Sequence, residues 1–172
     1  CIPEDYKKLP FYPREIKGDG RGHPCAIIGT PVFWNNRVYV AIGGDPNHGG
    51  RDSKGSIVCI DATGTGNLTE KGKIWSYNGL NQSVSTVAVA DGLVFVVDAA
   101  YAIHCLDADN GRCYWTHSPR KGATCFSSPL VTDGKVYLGK TILAASKRLQ
   151  VLPGIQSDQH TLYSSHCVAN GV

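Results

Sequence analysis

The sequence predicts an all-β fold, a partial β-propeller of roughly three four-stranded blades with the third shortened. Three observations carry that prediction. A hairpin pattern recurs, a strand-turn-strand unit ending in tryptophan recurs behind it, and the spacing between copies is that of propeller blades. The hairpin copies are TPVFWNNRVYV from Thr30, TVAVADGLVFV from Thr86, SPLVTDGKVYL from Ser128 and SHCVANGV from Ser165. Each opens on a small polar residue, alternates, turns on two residues and leaves on a second alternating run. The turn pairs Asn35-Asn36, Asp91-Gly92, Asp133-Gly134 and Asn170-Gly171 are residue types that tolerate the positive φ of a tight β-hairpin. Alternation puts Val38 and Val40 on one face with Tyr39 on the other, and Val136 and Leu138 opposite Tyr137.

The second unit follows the first two hairpins, as SIVCIDATGTGNLTEKGKIW ending at Trp75 and AIHCLDADNGRCYW ending at Trp115. Trp75 and Trp115 lie about 40 residues apart, which fits a four-stranded blade and exceeds ankyrin or tetratricopeptide periods. No window shows apolar residues at i, i+3, i+4 and i+7, and proline and glycine interrupt most windows of helical length. The expected blades are 29–78, 84–118 and 126–152, with the start of a further one at 163–172. In the third, GKTILAAS after Leu138 is shorter than the corresponding VVDAAYAIHCLDA, and no Gly-x-x-x-Trp closes the blade. Residues 1–28, with Pro3, Pro10, Pro13, Pro24 and a glycine-rich run from Gly18, read as an irregular segment outside the repeat.

These motifs resemble the repeat of PQQ-like, or quinoprotein-like, β-propellers, and in particular the bacterial PQQ-binding-like repeat proteins. Leu106-Asp107-Ala108, Gly111 and Trp115 stand at the positions of one repeat motif, and Ile60-Asp61-Ala62, Gly72 and Trp75 at those of the preceding one. The resemblance implies that each tryptophan docks on the neighbouring blade. It also implies a bacterial periplasmic or cell-envelope location. Because a propeller closes with four to eight blades, the chain is expected to be a piece of a longer protein. The absence of methionine and the start at Cys1 point the same way.

Two functions are compatible with the resemblance. The first is a non-catalytic scaffold or protein-interaction module, in the manner of the propeller lipoprotein that helps assemble outer-membrane proteins. The second is a portion of a PQQ-dependent alcohol or sugar dehydrogenase, with PQQ and calcium in the central funnel. Many such enzymes carry adjacent cysteines beside the cofactor, and none of the seven cysteines here are adjacent. No motif match places their calcium ligands either, so no cofactor is evident and the scaffold reading is preferred, with protein partners expected.

Other residues give less. The excess of lysine and arginine over aspartate and glutamate is small, 17 to 14, and the charges are scattered, which argues against nucleic acid. No apolar stretch is long enough for a membrane-spanning helix. Cys1, Cys25, Cys59, Cys105, Cys113, Cys125 and Cys167 form no C-x-x-C pair, so a structural zinc is not expected; buried thiols are, with a Cys1–Cys25 disulfide left open.

Asp61 and Asp107 look like paired carboxylates, yet their equivalent repeat positions favour turn capping. The loop from Gly43 to Gly55 is a weak candidate for binding through Asp45, Asn47, His48 and Asp52, but fails the calcium-loop template. Gly64-Thr65-Gly66 reads as a turn, and Asn67 and Asn81 begin formal glycosylation sequons that a bacterial resemblance makes irrelevant. His104 and Cys105, adjacent on a strand, should point to opposite faces and not pair. His23, His117, His160 and His166 show no grouping. No catalytic or metal residue is assigned.

Overall fold

A computed structural model of the chain describes residues 27–43, 55–68, 70–139 and 141–153. Within them lie strands and no helix. The first blade is β1 (Val32–Trp34), β2 (Arg37–Ile42), β3 (Gly55–Asp61) and β4 (Lys73–Leu80), the last running past residue 78. The second is β5 (Ala88–Ala90), β6 (Leu93–Val97), β7 (Ile103–Asp107) and β8 (Cys113–His117). The third is β9 (Leu130–Thr132), β10 (Lys135–Leu138), β11 (Thr141–Ala144) and β12 (Val151–Leu152). Each blade is a four-stranded sheet in which chain neighbours pair antiparallel.

The inner hairpins close as the residue types dictate. Asn35 and Asn36 have φ of 49° and 58°, Asp91 and Gly92 of 50° and 73°, and Asp133 and Gly134 of 50° and 65°. Positive φ at both central positions matches the turn to the right-handed twist of the strands. The fourth hairpin of the sequence pattern, at Asn170-Gly171, lies outside the described residues, as does the 163–172 segment and all but the last two residues of 1–28.

Two apolar clusters bind the three sheets face to face. Tyr39, Ala41, Ile57, Cys59 and Trp75 of the first blade meet Val94, Val96, Leu106 and Ala108 of the second. On its other face the second blade sends Leu93, Phe95, Val97, Ile103 and Trp115 against Val136, Leu138 and Leu143 of the third. Successive residues of β6 therefore enter different clusters, and all five are buried. That is why LVFVV is a continuous apolar run: a strand covered on both faces has no solvent side to mark.

Between the blades the innermost strands are tied by a repeated polar contact. The Thr30 N–H donates to Thr86 Oγ1 at 2.9 Å, and the Thr86 N–H donates to Ser128 Oγ at 3.0 Å. These are the small polar residues that open each hairpin pattern, so each hydroxyl accepts from the blade before it.

The shortness of the third blade has two sites. Leu138 pairs directly with Thr141, where the second blade inserts Asp98 to Ala102 between β6 and β7. The closing strand β12 has only two residues, and Leu152 faces Ile142 where Trp115 faces Cys105.

Candidate functional site

The repeated aspartates are held in the turns of their own blades and the repeated tryptophans in the seams between blades. Asp61 Oδ1 accepts from the Thr63 N–H and hydroxyl at 2.8 and 2.7 Å, and Asp107 Oδ1 accepts from the Asp109 and Asn110 N–H groups at 2.8 and 3.3 Å. Tyr114 OH donates to the other Asp107 oxygen. These bonds favour the ionised form, and both carboxyls sit below the ordinary aspartate value, Asp61 chiefly through Thr63 and Asp107 chiefly through Tyr114. The two aspartates are in different blades at equivalent turns, each occupied by its own turn.

Trp75 of β4 crosses to the second blade, where its Nε1–H donates to the Ala108 carbonyl at 3.0 Å. Tyr39 OH and an Arg37 N–H donate to the same carbonyl at 3.2 and 3.0 Å, and Arg37 also pairs with Asp109 at 2.8 Å. Trp115 makes a similar crossing one blade on, its Nε1–H donating to the Ser146 carbonyl at 2.9 Å, one position beyond the counterpart of Ala108.

The glycines of the motif differ. Gly111 has φ of 73°, and a Cβ there would lie 2.5 Å from the Trp75 ring, so glycine is demanded twice. Gly72 is not its counterpart. The Asp61 N–H donates to the Gly72 carbonyl just as the Asp107 N–H donates to that of Arg112, which places Gly72 level with Arg112. The longer turn of the first blade shifts the glycine by a position, and the spacing from Gly72 to Trp75 is correspondingly shorter than from Gly111 to Trp115.

The polar loop with Asp45, Asn47, His48 and Asp52 lies outside the described residues, as do Cys1, Cys25 and Cys167. Of the other cysteines, Cys59, Cys105 and Cys125 are buried free thiols and Cys113 is partly buried. Burial pushes Cys105 up to about 12, so it is held as a neutral thiol, with its Sγ toward the Ser146 carbonyl. His104 leaves the strand on the opposite side, and the pair makes no nucleophile.

What sequence reasoning missed is the polar cluster around His104, at the end of the second blade where β4 leads into β5 and β6 into β7. Asp98 is fully buried. Its Oδ2 accepts from the Asn81 backbone and side-chain N–H groups at 3.1 and 2.8 Å, and its Oδ1 accepts from the Ala102 N–H at 2.9 Å. Burial pushes this carboxyl up, but the facing His104 and these donors outweigh it and hold Asp98 below the ordinary value. His104 is 3% exposed, with Nδ1 3.2 Å from Tyr77 OH and 3.1 Å from Thr116 Oγ1. Its Nε2 stands 3.6 Å from Asp98 Oδ2 and has no hydrogen-bond partner. The ring thus stands between a carboxylate and two hydroxyls. The signal was an aspartate closing the apolar run LVFVVD and a histidine within the aliphatic AIHCLD, both at positions that a covered strand should fill with apolar residues.

Neither cluster nor seam suits calcium. Among the described residues no three His, Cys, Asp or Glu side chains converge as metal ligands, and three of the roughly four acceptor positions of the buried Asp98 carboxylate are already taken by N–H donors.

Comparison with known proteins agrees with this architecture. The family model for the outer membrane protein assembly factor BamB, a PQQ-type repeat model, matches residues 53–153. The 1-butanol dehydrogenase (cytochrome c) of Thauera butanivorans is 30% identical over 131 residues, which are 69% of this chain and 18% of the dehydrogenase. Among solved structures, the quinohemoprotein alcohol dehydrogenase of Comamonas testosteroni superposes with a TM-score of 0.50 at 24% identity, over 70% of this chain and 18% of the enzyme. BamB of Moraxella catarrhalis gives 0.49 at 18% identity, over 69% of this chain and 33% of its own. The chain thus spans about a fifth to a third of the length of these relatives. With the model covering more than half of the sequence, the chain belongs to the family of PQQ-like repeat β-propellers that the BamB model describes.

Proposed function

We propose that this chain is part of a non-catalytic β-propeller that serves as a scaffold or protein-interaction module of the bacterial cell envelope. The observation that carries the reading is the employment of the repeat's reactive side chains. Asp61 and Asp107 are tied into turns, Trp75, Trp115 and Arg37 into blade seams, and Asp98 into backbone anchoring. Function then falls to the surfaces the blades present, as in many propellers that bind without catalysing. The envelope location rests on the outer-membrane assembly factor that the family model describes.

A second reading, part of a PQQ-dependent alcohol or sugar dehydrogenase, is favoured by the 30% identity to the butanol dehydrogenase. On that reading PQQ would supply a hydride acceptor with calcium polarising it, and their ligands would come from outside this chain. The deciding experiment titrates the full-length protein with PQQ and calcium, following quinone absorbance and calorimetric heat. No binding by a folded protein is expected. Saturable binding near one PQQ per chain overturns the scaffold reading.

A further inference from the structure

The His104 cluster has an unusual property for a buried polar site, a ring nitrogen with nothing to bond. A neutral imidazole carries one proton. On Nδ1 it can be donated to Thr116 or Tyr77, which leaves the Nε2 lone pair facing the Asp98 carboxylate. On Nε2 it points at Asp98 across 3.6 Å, too far for a hydrogen bond. Only the doubly protonated ring satisfies both sides, donating Nδ1–H to a hydroxyl and Nε2–H to the carboxylate.

We propose that protonation of His104 draws Asp98 into direct contact and so tightens the end of the second blade, making the β4–β5 and β6–β7 connections a pH-responsive unit. Asp98 is the common tether of both, holding Asn81 in the first and Ala102 in the second. The connections are further stitched by the Ala99 N–H to the Gln82 carbonyl at 2.7 Å and by Ser83 Oγ to the Val97 carbonyl at 2.9 Å. A change at Asp98 therefore reaches residues 81–83 and 98–102 together.

The titratable groups that face His104 are Asp98 from the β6–β7 turn, Tyr77 from β4, and Cys113 from β8, which lies beside Tyr77. Thr116 of β8 and Asn81 complete the polar shell, and Val96 of β6 pairs with His104 across the sheet. Tyr77 is pushed up to about 12, chiefly by burial, so it stays a neutral hydroxyl over the physiological range. Asp98 is held below the ordinary carboxylate value and is therefore an anion there. With Tyr77 neutral and Asp98 an anion, the histidine is the member of this shell that can take up a further ring proton. Closing the gap creates a charge-assisted bond of the short, strong type.

The test uses the full-length protein and hydrogen exchange read by mass spectrometry between pH 8 and 5.5. Exchange at the imidazole Cε1–H reports the protonation of His104, and amide protection, corrected for intrinsic rates, reports the two connections. Protection of the peptides containing Asn81 and Ala102 is expected to rise about tenfold on acidification, in step with the His104 transition, as one charge-assisted hydrogen bond would give. In His104→Gln the step should vanish. An unchanged step in His104→Gln overturns the proposal. So does a wild-type His104 that stays neutral at pH 5.5 or titrates with no change in protection, results that need no variant to fold.

Discussion

The second and third blades share a hairpin pattern but differ in what covers them. In β6 every residue from Leu93 to Val97 is buried, whereas in β10 only Val136 and Leu138 are, and Lys135 and Tyr137 remain half-exposed. The second blade carries the capped turn of Asp107, a closing strand with Trp115 and the tethered Asp98 turn. The third has Ala144 where Asp107 stands, judged by its pairing with Lys135 as Asp107 pairs with Leu93. The comparison teaches that the inner hairpin suffices for a blade to be recognised and built. The capping aspartate orders the outer turn of its own blade and the tryptophan forms the seam with the next, and a blade without them closes with a stub.

The sharpest break of this comparison is in the seam. Trp75→Ala removes a buried ring and the Ala108 contact together and should cost about 3–5 kcal/mol, against about 1 kcal/mol for Leu152→Ala in the stub, read from denaturation midpoints of the full-length protein. Asp98→Ala comes next, at about 3 kcal/mol, because the Asn81 and Ala102 N–H groups lose their buried acceptor; the third blade, which turns directly from Leu138 to Thr141, has no counterpart.

The glycine comparison is finer. Gly111→Ala meets both a positive φ and the Trp75 ring and should cost about 2–3 kcal/mol, while Gly134→Ala meets the φ alone, with open space around its Cβ, and should cost about 1 kcal/mol. Equal costs in the two would show that the tryptophan is not seated on Gly111.

The smallest effects concern the turn carboxylate. Asp107 is partly buried and its bonds stay within its own turn, so Asp107→Ala should cost about 1 kcal/mol, and Ala144→Asp in the third blade should gain about 0.5 kcal/mol or less. The pH dependence has a definite sign. Asp98 and Asp107 titrate below their ordinary value in the folded chain, so the stability they add is present above about pH 4 and fades as pH falls through the folded values. Acid unfolding curves of Asp107→Asn should flatten slightly in that range, and those of Asp98→Asn more.

Much of the fold was legible because hairpins write themselves locally. Asn35-Asn36, Asp91-Gly92 and Asp133-Gly134 specify tight turns whatever surrounds them, and the spacing of Trp75 and Trp115 specifies the blade period. Gly72 falls level with Arg112 and not with Gly111, because strand pairing, which fixes its place, cannot be counted along a turn of variable length. The meeting of His104 with Asp98 is illegible along the chain for a related reason. Tyr77 and Asn81 come from β4 and its exit and Thr116 from β8, stretches that local patterns do not join to residues 98–104.

By itself the sequence determined the strands, their turns and their repetition, since these follow from φ preferences and side-chain alternation within a few neighbouring residues. Only the tertiary structure decided which faces are covered, which carbonyl each tryptophan reaches, and that a histidine and an aspartate meet at one end of a blade. Those contacts depend on how whole sheets stack, and a stacked sheet brings together residues that the chain itself keeps far apart.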